Sequence, residues 1–117
     1  MKKRILVADN SITIQKIVTM AFEHEDVVVE GVSKGKDALL KMKTFKPDIV
    51  LAGIDMQDLT GFELSKKIKN DPTFHSTKVL LLAGDFESFN KNLFDSSGAD
   101  DHISKPFKSE DIIKKVK

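Results

Sequence analysis

Cysteine is absent from the 117 residues, which excludes disulfides, thiolate metal centres and cysteine nucleophiles. An excess of charge of either sign is missing too. Lys and Arg number 19 against 18 Asp and Glu, a formal +1 at pH 7, so neither a nucleic-acid-binding domain nor an acidic tail is indicated. No apolar stretch approaches the roughly 20 residues that a membrane span needs. The basic start Met1-Lys2-Lys3-Arg4 is followed only by Ile5 to Ala8 before Asp9, far short of the apolar region of a signal peptide. Internal repeats, linkers and low-complexity tracts are lacking as well. What is left is a chain of single-domain size that is 40% hydrophobic, for which a globular fold in the cytoplasm is expected. Residues 1–117 read as one domain, with room for its having been cut from a longer protein.

What is present is an alternation. Ile5-Leu6-Val7-Ala8, Val27-Val28-Val29, Ile49-Val50-Leu51-Ala52 and Val79-Leu80-Leu81-Leu82-Ala83 are short, continuously apolar runs, the pattern of parallel strands covered on both faces. His102-Ile103-Ser104 is a weaker fifth. Between them, Ile14, Ile17, Val18, Ala21 and Phe22 recur at helical spacing. A second helix, with Ser33 as its expected cap, buries Ala38, Leu39, Met42 and Phe45 and is stopped by Pro47. A third runs from Gly61 to Asn70, before the turn signal Asn70-Asp71-Pro72. A fourth runs from Phe86 to Ser97 and ends at Gly98. The last, with Ser109 as cap, turns Ile112, Ile113 and Val116 inward. Strand–helix repeats of this kind give an α/β architecture with right-handed crossovers.

In an open α/β sheet, ligands bind at the carboxyl ends of the strands. There the sequence places Asp9-Asn10, then Gly53 with Asp55 two residues on, then Ala83-Gly84-Asp85, then Lys105-Pro106-Phe107. Carboxylates and a lysine converging on one rim can hold a divalent cation or a phosphoryl group, although charged residues also gather in surface loops for no such reason. The run Gly31 to Asp37 is not a phosphate-binding P-loop, because it has three residues between its glycines where four are needed and Asp37 where a Ser or Thr belongs. His24, His75 and His102 share no ligand spacing, so no metal site is expected from them.

The stretches "ILVADNS" (5–11), "PDIVLAGIDMQDLTGFEL" (47–64), "KVLLLAGD" (78–85) and "GADDHISKPF" (98–107), in that order, resemble the receiver domain of two-component response regulators. The resemblance covers residues 4 to 117. It implies a (βα)5 flavodoxin-like three-layer sandwich around a parallel five-stranded sheet of order 2-1-3-4-5. It also implies phosphorelay signalling, in which a histidine kinase donates a phosphoryl group to an aspartate with Mg2+ bound, rather than enzymatic turnover. Carried over position by position, Asp9 matches the first acid of the metal-binding pair, and Asn10 stands where the second acid is usual. Gly53 stands at the phosphoacceptor. Asp55 takes the position whose carbonyl ligates the metal. Ala83 replaces the hydroxyl that bonds the phosphoryl group, and Lys105 matches the phosphate-binding lysine. His102 takes the place of the aromatic switch, and Gln57 that of a common proline.

Asn10, Gly53 and Ala83 have each lost the group the chemistry uses, so the expectation is a pseudo-receiver: a vestigial site, no catalytic residue, and signalling through protein–protein contact. With Asn10 and Gly53 neutral, Asp9 and Lys105 are expected to pair. No metal is then expected, and Mg2+, if Asp9 and Asp55 bind it at all, is expected to bind in the millimolar range or weaker. Two alternatives stay open: phosphorylation relocated to Asp55, and a small-molecule sensor at the strand ends. His102 is either a pH-sensitive version of the switch or a plain half-buried strand residue. The expected partners are other signalling proteins or a fused effector domain, with neither nucleic acid nor membrane contacted directly. They would dock on the fourth helix, fifth strand and fifth helix, where Phe89 or Phe94 could serve as an anchor, and homodimerisation is a further candidate.

Overall fold

The computed structural model describes residues 2–74, 76–83, 91–104 and 109–116. Its strands are β1 (Lys3–Ala8), β2 (Val27–Val32), β3 (Ile49–Gly53), β4 (Lys78–Ala83) and β5 (Asp101–Ser104). The helices are α1 (Ile12–Ala21), α2 (Gly35–Thr44), α3 (Gly61–Lys69), α4 (Lys91–Ser97) and α5 (Ser109–Val116), with a 3-10 turn at Pro72–Phe74. All strand pairs are parallel, in the order β2-β1-β3-β4-β5. This is the flavodoxin-like fold expected from the sequence.

The continuous apolar runs are explained by the two faces of the sheet. Side chains alternate along a strand. Leu6, Ala8, Val50, Ala52, Val79 and Leu81 therefore pack with Ala38 and Met42 of α2 and with Leu64 and Ile68 of α3. Their neighbours Ile5, Val7, Ile49, Leu51, Leu80 and Leu82 pack with Val18 of α1 and with Ile112 and Val116 of α5. A strand buried on both faces has no polar side, so no alternation is visible in its sequence.

The loops at the carboxyl ends of β1 and β3 are held by hydrogen bonds to side chains. Ser11 caps α1 by accepting from the Ile14 N–H at 3.3 Å. Thr60 and Glu63 form a reciprocal capping box on α3, at 3.1 and 3.0 Å, a device worth about 1 kcal/mol. Helix α2 departs from expectation. Its N-cap is Lys34, which makes no side-chain cap, and Ser33 instead accepts a 3.2 Å bond from Gln15 Nε2. The capping is done from across the loop by Asp58, whose carboxylate oxygens each take a 2.9 Å bond, from Gly35 N–H and Lys36 N–H. Gly98 follows α4 at φ 75°, the left-handed helix terminator that the sequence suggested. Ser109, expected as the cap of the last helix, is instead the first residue of α5, and the expected start of α4 at Phe86 lies outside the described residues.

Candidate functional site

Strands β1, β3 and β4 end side by side, and the residues at their carboxyl ends form the floor of the site. Ala52 is level with Ala8, and Gly53 with Leu82. Asp9 leaves β1 tied to its neighbour by a 3.1 Å backbone bond from its N–H to Val32 O. Its side chain is 1% exposed and accepts a 2.9 Å bond from the Ser11 N–H through Oδ1. Asn10 is exposed, Gly53 and Ala83 are buried, and Asp55 is exposed on the loop beyond β3.

Gly53 does not have the left-handed backbone that would call for glycine, since among the described glycines only Gly98 has positive φ. What it has is a neighbour. A Cβ built on Gly53 would lie 2.5 Å from Oδ2 of Asp9 and 2.8 Å from its Cγ, far inside van der Waals contact. The carboxylate of Asp9 thus fills the place where a side chain at 53 would begin. Gly61 is restricted differently: a Cβ there would lie 2.5 Å from Gly53 O and 3.1 Å from Ile54 Cα. Those are backbone atoms and cannot turn aside. The loop returns so tightly that the Gly61 N–H donates to Ile54 O at 2.9 Å.

Two side chains that the sequence did not flag hold this rim together. Gln15 reaches back from α1, and its Nε2 donates to Asp9 O at 2.8 Å and to Val32 O at 3.1 Å. It lies over Gly31, where any Cβ would run into its amide. Asp58 clamps the β3–α3 loop to the start of α2 and also accepts from its own loop at Leu59 N–H, 2.9 Å. These backbone donors, that of Lys36 first, hold its carboxyl below the usual aspartate range, as expected of an anion at a helix N-terminus. Leu59 then packs on Gly35, where a Cβ would come within 2.7 Å of Leu59 Cβ. A glutamine among the apolar positions of α1 was the available signal for the first. Nothing local marks Asp58 as a clamp, because its two partners on α2 are more than 20 residues away.

Lys105, expected to pair with Asp9, and Phe89, expected on the docking face, lie outside the described residues, as does His75. Of the remaining expected positions, the structure gathers Asp9, Gly53 and Ala83 at the sheet rim and leaves Asn10 and Asp55 toward solvent. Among the described residues no group of three His, Asp or Glu side chains is placed to hold a metal ion. His102 stands on β5, level with Leu81. Its ring meets that of Phe94 edge to face, with centroids 5.5 Å apart and planes at 74°. Phe94 is half-buried against the core below α4, so the large apolar side chain this helix exposes is Leu93, at 49%. Beside His102, Asp101 takes a 2.6 Å ion pair from Lys115, which is the main reason its carboxyl is held below the usual range. No described helix is long and apolar enough to cross a membrane.

The response regulator receiver domain model matches residues 5–117. The chain is 32% identical to the alkaline phosphatase synthesis transcriptional regulatory protein PhoP of Bacillus subtilis, over 100% of this chain and 48% of PhoP. It is 30% identical to protein PilG of Pseudomonas aeruginosa, over 97% of this chain and 84% of PilG. It thus spans about half the length of the first relative and most of the second. The chemotaxis response regulator CheY4 of Vibrio cholerae superposes with a TM-score of 0.90 at 26% identity, over 99% of this chain and 97% of CheY4. Sheet order, the family match and these relatives agree, and the chain belongs to the response regulator receiver domains of two-component signalling.

Proposed function

We propose that this receiver has lost aspartyl phosphorylation and passes its signal on by protein–protein contact. The observation that carries the reading is the position of Asp9, whose buried carboxylate takes the place a side chain at Gly53 would need. A vacated acceptor site left open would accommodate a phosphoryl group arriving from elsewhere. This one has been closed by its own neighbour.

The donor set supports the same reading. Receivers in general bind Mg2+ at the phosphorylation site, and a hard dication asks for several oxygen ligands with more than one carboxylate among them. Here Asn10 is neutral, position 53 offers only backbone, and Oδ1 of Asp9 is engaged by the Ser11 N–H. These residues do not fit Mg2+ well, and no step is drawn through it. Asp55 is a poor substitute acceptor. It sits on a loop fixed by the three hydrogen bonds of Asp58 and by the tight return at Gly61. In-line attack needs the nucleophile placed to a fraction of an ångström. Ala83, without a hydroxyl, cannot draw its loop toward a phosphoryl group, so one dominant conformation is expected.

Relatives of this family partner with histidine kinases and effector domains. For this chain the candidate contact is the surface of α4, β5 and α5, with Leu93 exposed and Phe94 edge to face with His102 behind it. The test is incubation with a small-molecule phosphodonor and Mg2+, read by intact mass. No adduct is expected. An acid-stable but base-labile adduct mapped to Asp9 or Asp55 would refute the proposal.

A further inference from the structure

The opposite rim of the sheet, at the amino ends of the strands, has a chemistry that the strand-end site does not use. Lys2, Lys3, Arg4, Lys46 and Lys78 are all exposed there. Two shallow troughs cross this rim. One, of about 460 Å3, is lined by Lys3, Lys46 and Lys78 together with the hydroxyl residues Thr73, Ser76 and Thr77. The other, of about 510 Å3, runs between Lys2, Arg4 and Val28. Lys46 and Asp48 line both, so the two adjoin.

The rim is net positive, although Glu25 and Asp26 stand beside Lys3 just before β2. Against four lysines and an arginine the troughs contain one carboxylate, Asp48, and that one already accepts a 2.8 Å bond from the Arg4 N–H. The arginine is also occupied: its Nη1 donates to Phe45 O at 2.9 Å, and its guanidinium lies 5.9 Å from the Phe45 ring centroid. Among the described residues, Lys2, Lys3, Lys46 and Lys78 have no carboxylate within ion-pair distance, a state they share with exposed lysines elsewhere such as Lys16, Lys43 and Lys66, whereas Lys41, Lys69, Lys91 and Lys115 each have one. What sets this edge apart in a chain with a formal charge of +1 is that Lys2, Lys3, Arg4, Lys46 and Lys78 line two adjoining troughs.

Local structure accounts for only one of them. A cation after α2 is favoured by the helix dipole, which suits Lys46. Yet Lys46 is held at φ 51°, a left-handed position where glycine or asparagine would avoid a cost of about 1 kcal/mol. Lys2, Lys3 and Lys78 stand at strand starts, where no dipole favours them.

We propose that this rim binds an acidic segment of a partner protein, laid across the amino ends of β2, β1, β3 and β4. The dimensions suit an extended peptide. Four strands give three spacings, about 14 Å, the reach of roughly four or five extended residues. Lysine ammonium groups suit separate carboxylates, and the hydroxyls of Thr73, Ser76 and Thr77 can donate to them or to the peptide backbone. Asp48 in mid-trough disfavours a continuous phosphate backbone, so a nucleic acid is the poorer occupant.

The test is fluorescence anisotropy with a labelled hexaglutamate peptide at low salt, together with amide NMR of the unmodified domain. Binding that weakens with salt is expected, with shifts gathered at Lys3, Lys46, Thr77 and Lys78. The K46E/K78E variant should weaken it at least about tenfold. The K16E/K66E variant makes the same change in net charge on exposed faces of α1 and α3 and should leave binding unchanged. No binding, equal losses in both variants, shifts scattered over the surface, or tighter binding of a thymidine oligonucleotide would each overturn the proposal.

Discussion

Substituting Gly53 by alanine asks directly whether Asp9 owns the vacated space. In most extended positions Gly→Ala is favourable by about 0.4–1 kcal/mol, because it restricts the unfolded chain. Nothing in the Gly53 backbone opposes that gain, since φ there is not positive. The opposition is steric: the new methyl group would sit 2.5 Å from Asp9 Oδ2 and 2.8 Å from Cγ. Overpacking of a filled interior costs about 1–3 kcal/mol, and here the group to be displaced is a buried carboxylate with a backbone hydrogen bond to lose. The net expectation for G53A is a loss of about 1–2 kcal/mol in urea unfolding. In a D9A background the space is open, so the same substitution should become stabilising by about 0.4–1 kcal/mol. The cycle of G53A, D9A and the double variant should therefore show a coupling of about 2 kcal/mol. G53A as stable as the parent, or additive with D9A, would refute the claim that Asp9 fills the site.

Other consequences follow from the same packing. Gly61→Ala should be costlier than G53A, about 3 kcal/mol or more in urea unfolding, because Gly53 O and Ile54 Cα cannot move away; equal costs would contradict this. Asp58 has a depressed folded-state pKa, so the stability it contributes is present above the unfolded value near 4 and is lost as pH falls through the folded value. Asp58→Asn should accordingly be less stable than the parent at neutral pH, and the two should converge in acid. A constant difference across that range would contradict the clamp. Asp101 is governed by the same sign, through Lys115 first. Lys115→Ala should move the Asp101 carboxyl upward in an NMR titration while changing stability by about 0.5 kcal/mol or less, since both side chains are 42% exposed and solvent screens the pair.

The layered fold was legible because strands buried on both faces must be apolar throughout, as Ile5-Leu6-Val7-Ala8 and Ile49-Val50-Leu51-Ala52 are. Strand β2 extends beyond the apolar run Val27 to Val29, through Glu30 and Gly31 to Val32. They remain in the sheet because the ladder with β1 continues through Leu6, Val7 and Ala8, and Glu30 reaches Lys41 in a 2.7 Å ion pair. The missing acceptor at Gly53 could be seen in the sequence, but what replaced it could not. Whether Asp9 turns toward Gly53 depends on a side-chain rotamer and on two strands lying side by side, neither of which spacing encodes. The expected cap of α2 at Ser33 fails for a similar reason. Local rules look for a capping residue beside the helix, and this one comes from Asp58, which the fold alone brings there.

The most direct test of the lost acceptor is an amide NMR spectrum of the domain, with and without Mg2+ and beryllofluoride, a mimic of the phosphoryl group on aspartate. A receiver whose acceptor site is filled by Asp9 gives no shifts at Asp9, Asp55, Ala83 or Lys105 at millimolar Mg2+ with the mimic present. Shifts that begin at these strand ends and extend to Leu93 and His102 would mean that an acceptor survives and still drives the surface of α4, β5 and α5.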